Sequence, residues 1–571
     1  MNITIPTPVI AGLCILSSQL AFAGSATWDL NPTNNKWNTS ANWTPDTVPN
    51  GPDDVATFGA SQVTNPLIDT LTVEVKGLVF APNAPAYSIT VESTSPTNFN
   101  IDRDGIVNNS GVTQSFYSGE QGFIRLGGNA GAMTYFQTDG GGIYLENRAS
   151  AESANFVINS GRNQGFMLFL GSSTAADSTI TVNGISYVDF LSGKGGNATL
   201  NAVGGTIEFA NDADAEHATA SCSSGGYVVF RDSVSAGDGT FSGDGTNNTI
   251  EFIDSSTGGD GTFVINGATT PGGAGDKLTF DRGASVGNAI LMANGGTNGG
   301  DGARIAFLGT SSGDNATVVL SGNAKLEVRP SEDMVLTLGS LAGDGSVFLA
   351  RTLTVGSNNL STVFSGVIQE SNGGNTAGSL TKVGTGQLTL TGANAYTGGT
   401  VIDAGTVLVK NTSGSALGTG ATAMDAGTLG GSGTVAGAVT VGTGSGAGAV
   451  LAPAIGSNVP ATLTIQSSLT LQADATYECT AQARGQRVRA DKVVAEGVTI
   501  NGATFSFQPT ITGTLQPGTV FTVIGNTSPN PINGTFSNLA DGAIITVGST
   551  HFQANYEGGG GGNDLTLTVV P

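Results

Sequence analysis

The sequence predicts an all-β solenoid, a stack of short coils, on three observations. First, a phenylalanine returns about once per coil, at Phe169, Phe190, Phe209, Phe230, Phe252, Phe280 and Phe307, with gaps of 21, 19, 21, 22, 28 and 27 residues. Each closes a short apolar run, and seven or eight residues later comes a turn residue, a small residue and usually Thr. The turn residues are Asp177, Asn197, His217, Asp238, Asp260, Asn288 and Asn315. A twenty-odd-residue period of strand, turn and strand marks stacked repeats. Second, Gly makes up 88 of 571 residues, which excludes long helices. Third, runs of Val, Thr, Ile and Phe alternate with Gly, Asn, Asp and Ser throughout, the pattern of strand and turn. The chain is 38% hydrophobic, too apolar and too regular for a disordered Gly-rich polymer.

The elements follow in order. Residues 1–23 are expected to be a cleaved signal peptide: Val9 to Leu20 is apolar but too short to span a bilayer, and Ala21-Phe22-Ala23 before Gly24 has the small-x-small form of a cleavage site. The n-region carries no Lys or Arg. Cys14 follows Leu13 where a lipid anchor needs a small residue, so no lipoprotein is expected. Residues 24–95 hold Trp28, Trp37 and Trp43 with Pro45, Pro49 and Pro52. An open first coil exposes unpaired strand edges, so a dissimilar N-terminal β cap is expected here. A sugar-stacking platform of exposed Trp rings is the competing reading. Residues 96–334 are the Phe-anchored coils, whose seven anchors stack over roughly 30 Å at about 4.8 Å per coil. A change of pattern opens a further region at 335–450, and residues 451–571 complete the coils and close them.

The region from about 335 carries a resemblance. Leu338-Gly-Ser-Leu-Ala-Gly-Asp-Gly-Ser, Phe364-Ser-Gly-Val-Ile and, above all, Leu380-Thr-Lys-Val-Gly-Thr-Gly-Gln-Leu-Thr-Leu-Thr-Gly-Ala-Asn-Ala-Tyr-Thr-Gly-Gly-Thr-Val-Ile-Asp-Ala-Gly-Thr-Val-Leu-Val resemble the autotransporter-associated β-strand repeat, or passenger-associated transport repeat, of large bacterial secreted proteins. Thr27-Trp-Asp and Val48-Pro-Asn-Gly-Pro-Asp-Asp are similar to that family's opening segment, and Asn563-Asp-Leu-Thr-Leu to its close. The resemblance implies a right-handed parallel β-helix outside the cell, to which the Trp-containing segment 24–95 adds the N-terminal β cap. The chain ends Leu565-Thr-Leu-Thr-Val-Val-Pro571 without a run of ten-residue membrane strands, so it reads as a passenger without its own translocator barrel.

Charge and cysteine content narrow the chemistry. The formal charge of −23, with 20 basic against 43 acidic residues, excludes nucleic acid as a partner. Cys222 and Cys479 lie 257 residues apart, too many coils for a disulfide, and are expected to be free and buried. Gly309-Thr-Ser311-Ser-Gly313 matches a hydrolase nucleophile motif by letter, yet falls in a turn with no strand-to-helix elbow. His217 and His551 are the only histidines, and His217 reads as a turn residue expected to bond its own backbone or adopt a left-handed conformation. Asp212, Asp214 and Glu216 are weighed as calcium ligands against a solvated loop. The Asp-Gly pairs at Asp238, Asp244, Asp260, Asp301 and Asp344 read as turns. Gly384-Thr-Gly386 is not a phosphate loop, since no helix follows.

Two functions remain. The expected one is a secreted or cell-surface structural and adhesive repeat protein that is not an enzyme, with no catalytic, cofactor-binding or metal site, no cofactor and no membrane span in the mature chain. Its partner is unknown, with cell-envelope components or extracellular polysaccharide the candidates. The alternative is a polysaccharide lyase or hydrolase on the same scaffold, which requires carboxylates and basic residues grouped on one face. The basic cluster visible in the sequence is Arg484, Arg487, Arg489 and Lys492, beside Glu478, Asp491 and Glu496.

Overall fold

The computed structural model describes residues 24–571 except 71, 332–333, 372–376, 447, 456, 458 and 485–486. The signal peptide expected at 1–23, with Cys14, lies outside the described residues. The chain is an all-β solenoid, and its helical content among the described residues is one 3-10 turn at Ser40–Asn42. No described helix is long and apolar enough to cross a membrane.

Each coil contributes strands to separate parallel ladders. A first, 17-stranded sheet runs from Ala26–Trp28 through Gly51–Phe58, Thr72–Phe80 and the Phe-anchored strands to Val367–Glu370. All its pairings are parallel except Ala26–Trp28 with Trp43–Thr44, the hairpin that closes the N-terminal end. A second ladder starts at Leu67–Ile68 and continues to Thr504–Thr512. The third side begins as single bridges stacked through Ser150, Thr174, Lys194, Asp214, Ser235, Thr257, Ser285 and Ser312. From Leu336–Leu338 onward it becomes a nine-stranded sheet. The coils are therefore three-sided, and their third side gains strands where the sequence changes pattern.

The core follows from strand alternation, which sends every second side chain inward. The seven anchor phenylalanines are fully buried and stack at centroid distances of 4.3 to 5.4 Å, with ring planes within 12° of parallel. On the second sheet Phe116, Phe136 and Phe156 stack likewise at 4.8 Å. In-register parallel pairing places identical residues over one another, as Phe190 over Phe209, so one rotamer serves the whole column. At the N-terminal end Trp28, Trp37 and Trp43 are buried, and each indole N–H donates to a carbonyl, of Val63, Pro49 and Trp37 respectively. They are the floor of the cap, not an exposed platform.

The turn position behaves differently from expectation. The left-handed residue is the one before it: φ is +48° at Ala176, +61° at Gly196, +51° at Glu216 and +62° at Gly237. The turn residues themselves bond to their counterparts in the next coil. Asn197 Nδ2 donates to Asp177 Oδ1 at 2.9 Å and Asn288 Nδ2 to Asp260 Oδ1 at 3.0 Å, and His217 Nδ1 meets Asp238 Oδ1. Stacking turns these side chains toward one another across coils, a relation that no single turn reveals.

The first sheet stops at Glu370, and a fourth sheet begins on the same side of the coil at Thr434–Val435. Buried side chains bridge the gap. Asn394 Oδ1 accepts from Ile368 N at 2.8 Å while its Nδ2 donates to Ala416 O at 2.6 Å, and Asn411 Oδ1 accepts from Thr434 N at 2.8 Å. The fourth sheet is parallel through Val520–Asn526 and then turns antiparallel through Asp564–Val570, Thr550–Gly558 and Ile544–Val547, closing the C-terminal end.

Candidate functional site

The outward face of the first sheet stacks aromatic, acidic and basic side chains in columns. In each Phe-anchored strand, the residues one and three positions before the anchor point outward, and parallel register stacks them into two columns. The column three before reads Phe123, Gly142, Phe166, Tyr187, Thr206, Tyr227, Thr249, Lys277, Arg304 and Lys325. The column one before reads Arg125, Tyr144, Leu168, Asp189, Glu208, Val229, Glu251, Thr279, Ala306 and Glu327.

The N-terminal third of this face is aromatic. Phe166 stacks on Tyr187 at 5.6 Å and meets Tyr144 edge-on at 5.3 Å, and the Arg125 guanidinium lies 3.8 Å from the Tyr144 ring centroid while pairing with Glu146. Half-exposed rings with a cation over one of them form a flat, amphipathic surface.

The middle third carries carboxylates. Asp189 and Glu208 are neighbours in register, and Arg231 Nε lies 2.9 Å from Glu208 Oε1. Burial pushes the Asp189 carboxyl up to about 6, the Glu208 charge adds to this, and Arg231 opposes it. Tyr227 donates its hydroxyl to Glu251, and burial followed by that bond raises the phenol. The C-terminal third is cationic, with Lys277, Arg304 and Lys325 on successive rungs. Arg304 Nη2 sits 2.8 Å from Glu327 Oε2, which Arg329 approaches at 3.4 Å.

The residues singled out in the sequence stand elsewhere. Ser311 is buried and its hydroxyl donates to Leu308 O at 2.7 Å, leaving no nucleophile at the Gly-x-Ser-x-Gly match. The Asp212 to Glu216 group does not converge: Glu216 pairs with Lys194 at 2.7 Å, and Asp214 Oδ1 accepts from Glu216 N at 2.8 Å. Among the described residues no three His, Cys, Asp or Glu side chains are grouped to hold a metal. Arg487 and Arg489 project to solvent from a hairpin strand, whereas Asp491 is buried and accepts from Ala461 N at 2.7 Å and Thr480 N at 2.8 Å. His551 lies in the closing strand beside Thr546, 2.9 Å away. Cys222 and Cys479, the two cysteines among the described residues, are free and buried. Burial pushes the Cys222 thiol up to about 12 and raises that of Cys479.

The columns of the first sheet are not evident in the linear sequence, because their members stand about twenty or more residues apart and meet only through parallel register. Their signal is positional: Tyr187, Tyr227, Lys277 and Arg304 each stand three residues before an anchor, and Asp189, Glu208 and Glu251 one before.

The segment 380–409 supplies strands to two successive coils, Leu380–Lys382 stacking on Thr400–Ile402 and Gln387–Leu390 on Thr406–Val409. Lys382 is buried, and its ammonium donates to Val383 O at 2.6 Å and Gly384 O at 3.0 Å. Gly384 and Gly405 take φ of +66° and +68° around it. Tyr396 is fully buried with its hydroxyl 2.7 Å from Thr400 Oγ1. No curated protein matches the chain. Residues 380–409 match the family model described as passenger-associated-transport-repeat. The chain is thus a parallel β-helical protein that carries this autotransporter-associated repeat within its stack of coils.

Proposed function

We propose that the chain is an exported, passenger-like rod: a structural and adhesive repeat protein, secreted or held at the cell surface, that presents its outward faces to other molecules and performs no chemistry of its own. The observation that carries this reading is the continuous parallel stacking of coils with a transport-associated repeat embedded among them. Such a quasi-one-dimensional body offers long flat sides for recognition. Protease shaving of intact cells, with mass spectrometry of released peptides and of the culture medium, tests it. Peptides from the Phe coils are expected in the shaved fraction; intact chain confined to the medium refutes surface display, and chain confined to the cytoplasm refutes export.

One observation favours a second reading, a glycoside hydrolase. Asp189 and Glu208 occupy adjacent rungs, set about 4.8 Å apart, close to the carboxylate separation of retaining glycosidases. The Asp189 carboxyl at about 6 suits an acid, and Glu208 beside Arg231 suits a nucleophile. Release of reducing ends from polysaccharides, abolished in Asp189→Asn and in Glu208→Gln, would establish this reading; no release from a broad polysaccharide panel removes it.

A further inference from the structure

We infer that the outward face of the first sheet is a binding track for a linear anionic polysaccharide, with Lys277, Arg304 and Lys325 as its anion-binding rungs. The inference rests on the reading of the chain as an exported rod and names its ligand class.

The argument begins with charge. The chain has 20 basic residues against 43 acidic ones, yet three of the 20 stand on consecutive rungs of one column. Like charges facing each other across neighbouring strands destabilise a sheet. Little on the face offsets this. On these three rungs the adjacent column holds uncharged Thr279 and Ala306 and the carboxylate Glu327, which is shared between Arg304 and Arg329, while Glu251 stands one rung before Lys277. Lys277 Nζ has a neutral partner, Asn247 Oδ1 at 3.1 Å, and Lys325 forms no ion pair among the described residues. A ligand bearing a negative charge at each rung relieves the repulsion.

Spacing selects a polymer. The rungs repeat at about 4.8 Å, and an extended glycan chain advances by about one pyranose ring over such a step, so each successive sugar meets a new rung. The same face supplies the other half of sugar recognition. Phe166, Tyr187 and Tyr227 present half-exposed rings in the column that ends in the cations. Of the carboxylates beside them, Glu208 pairs with Arg231, whereas Glu251 accepts a neutral bond from the Tyr227 hydroxyl and Asp189 lies next to Glu208 in register. The anionic groups of the ligand are therefore expected on Lys277, Arg304 and Lys325, and the aromatic rungs are left to ring stacking against the sugar faces. Carboxylated and sulfated glycans share the required chemistry, and the choice between them is experimental.

The test uses the purified full mature chain and three probes, polygalacturonate, heparin and neutral dextran, in affinity electrophoresis and titration calorimetry at low and physiological ionic strength. Binding to polygalacturonate or heparin, weakened by salt as exposed charge pairs are, is expected; the better of the two identifies carboxylate or sulfate as the recognised group. Lys277→Gln with Lys325→Gln is expected to weaken it about tenfold, and Lys277→Arg with Lys325→Arg to retain it. Arg487→Gln with Arg489→Gln, equal in charge change but on the hairpin, is expected to have no effect. Equal loss in the two glutamine pairs, equal affinity for dextran, or no binding to either polyanion overturns the inference. Shaving of cells that carry the Lys277→Gln and Lys325→Gln variant separates the two levels. Surface location without glycan binding by the wild type removes only the track, whereas loss of export or display in the wild type removes the rod itself.

Discussion

Replacing Phe209 by Ala should open the middle of the solenoid while leaving its ends intact. Phe209 is fully buried, with its ring 4.4 Å from Phe190 and 5.1 Å from Phe230 and planes inclined by only 9° and 5°. Truncating a buried Phe to Ala costs about 3–5 kcal/mol through lost transfer energy and the cavity left behind. Two stacked partners place this site at the upper end, since each aromatic pair adds about 0.5–1.5 kcal/mol beyond area burial. The neighbouring coils are held by a continuous backbone ladder and cannot collapse inward to fill the void. Native-state hydrogen exchange read by mass spectrometry is the appropriate assay, because a long repeat array need not unfold in one step. Strands Tyr187–Phe190, Thr206–Phe209 and Tyr227–Phe230 are expected to lose about 4 kcal/mol of protection, with little change at Leu469–Leu471. Thr206→Ala, on the same strand but facing outward, is expected to change protection by less than about 0.5 kcal/mol. A loss below about 1 kcal/mol for Phe209→Ala, or an equal loss at both ends of the rod, would refute the account of the Phe column as the local source of stability.

Three further outcomes are expected. Asn394→Ala removes one buried acceptor and one donor, orphaning Ile368 N and Ala416 O, and should cost about 2–4 kcal/mol, seen as exchange confined to the coils from Val367 to Thr434. Asp189 is held protonated by burial between its ordinary value of 3.8 and about 6, so the folded chain binds a proton there that the unfolded chain has lost. Its contribution to stability therefore falls as pH rises through that window, and Asp189→Asn should flatten the dependence and stabilise the coil at pH 7 by about 1 kcal/mol after allowance for its partial exposure; a wild-type stability that rises relative to the variant as pH is raised from 4 to 6 would contradict the assignment. Cys222, buried and with its thiol pushed up to about 12, should resist iodoacetamide in the native rod and react only in denaturant; rapid native labelling would show that the second sheet opens there.

A repeat makes much of this fold local, and what is local is legible in the linear order of residues. Strand alternation and the period of Phe169 to Phe307 are properties of consecutive residues, so the solenoid, its inward ring column and the buried, unpaired state of Cys222 and Cys479 follow from spacing alone. The transport repeat at 380–409 is likewise a linear signal, because its Lys382, Gly384, Asn394 and Tyr396 bond within or one coil beyond their own. Tertiary structure decided everything that depends on which coil lies over which. Whether Trp37 faces core or solvent, how His217 finds Asp238, and how Asn394 carries one side of the coil across a gap between sheets are questions of register between segments twenty or more residues apart. The outward columns belong to the same class. Tyr187, Tyr227, Lys277, Arg304 and Lys325 are scattered in the chain, and only in-register parallel pairing, which stacks equivalent positions at one fixed spacing, turns them into a single continuous surface.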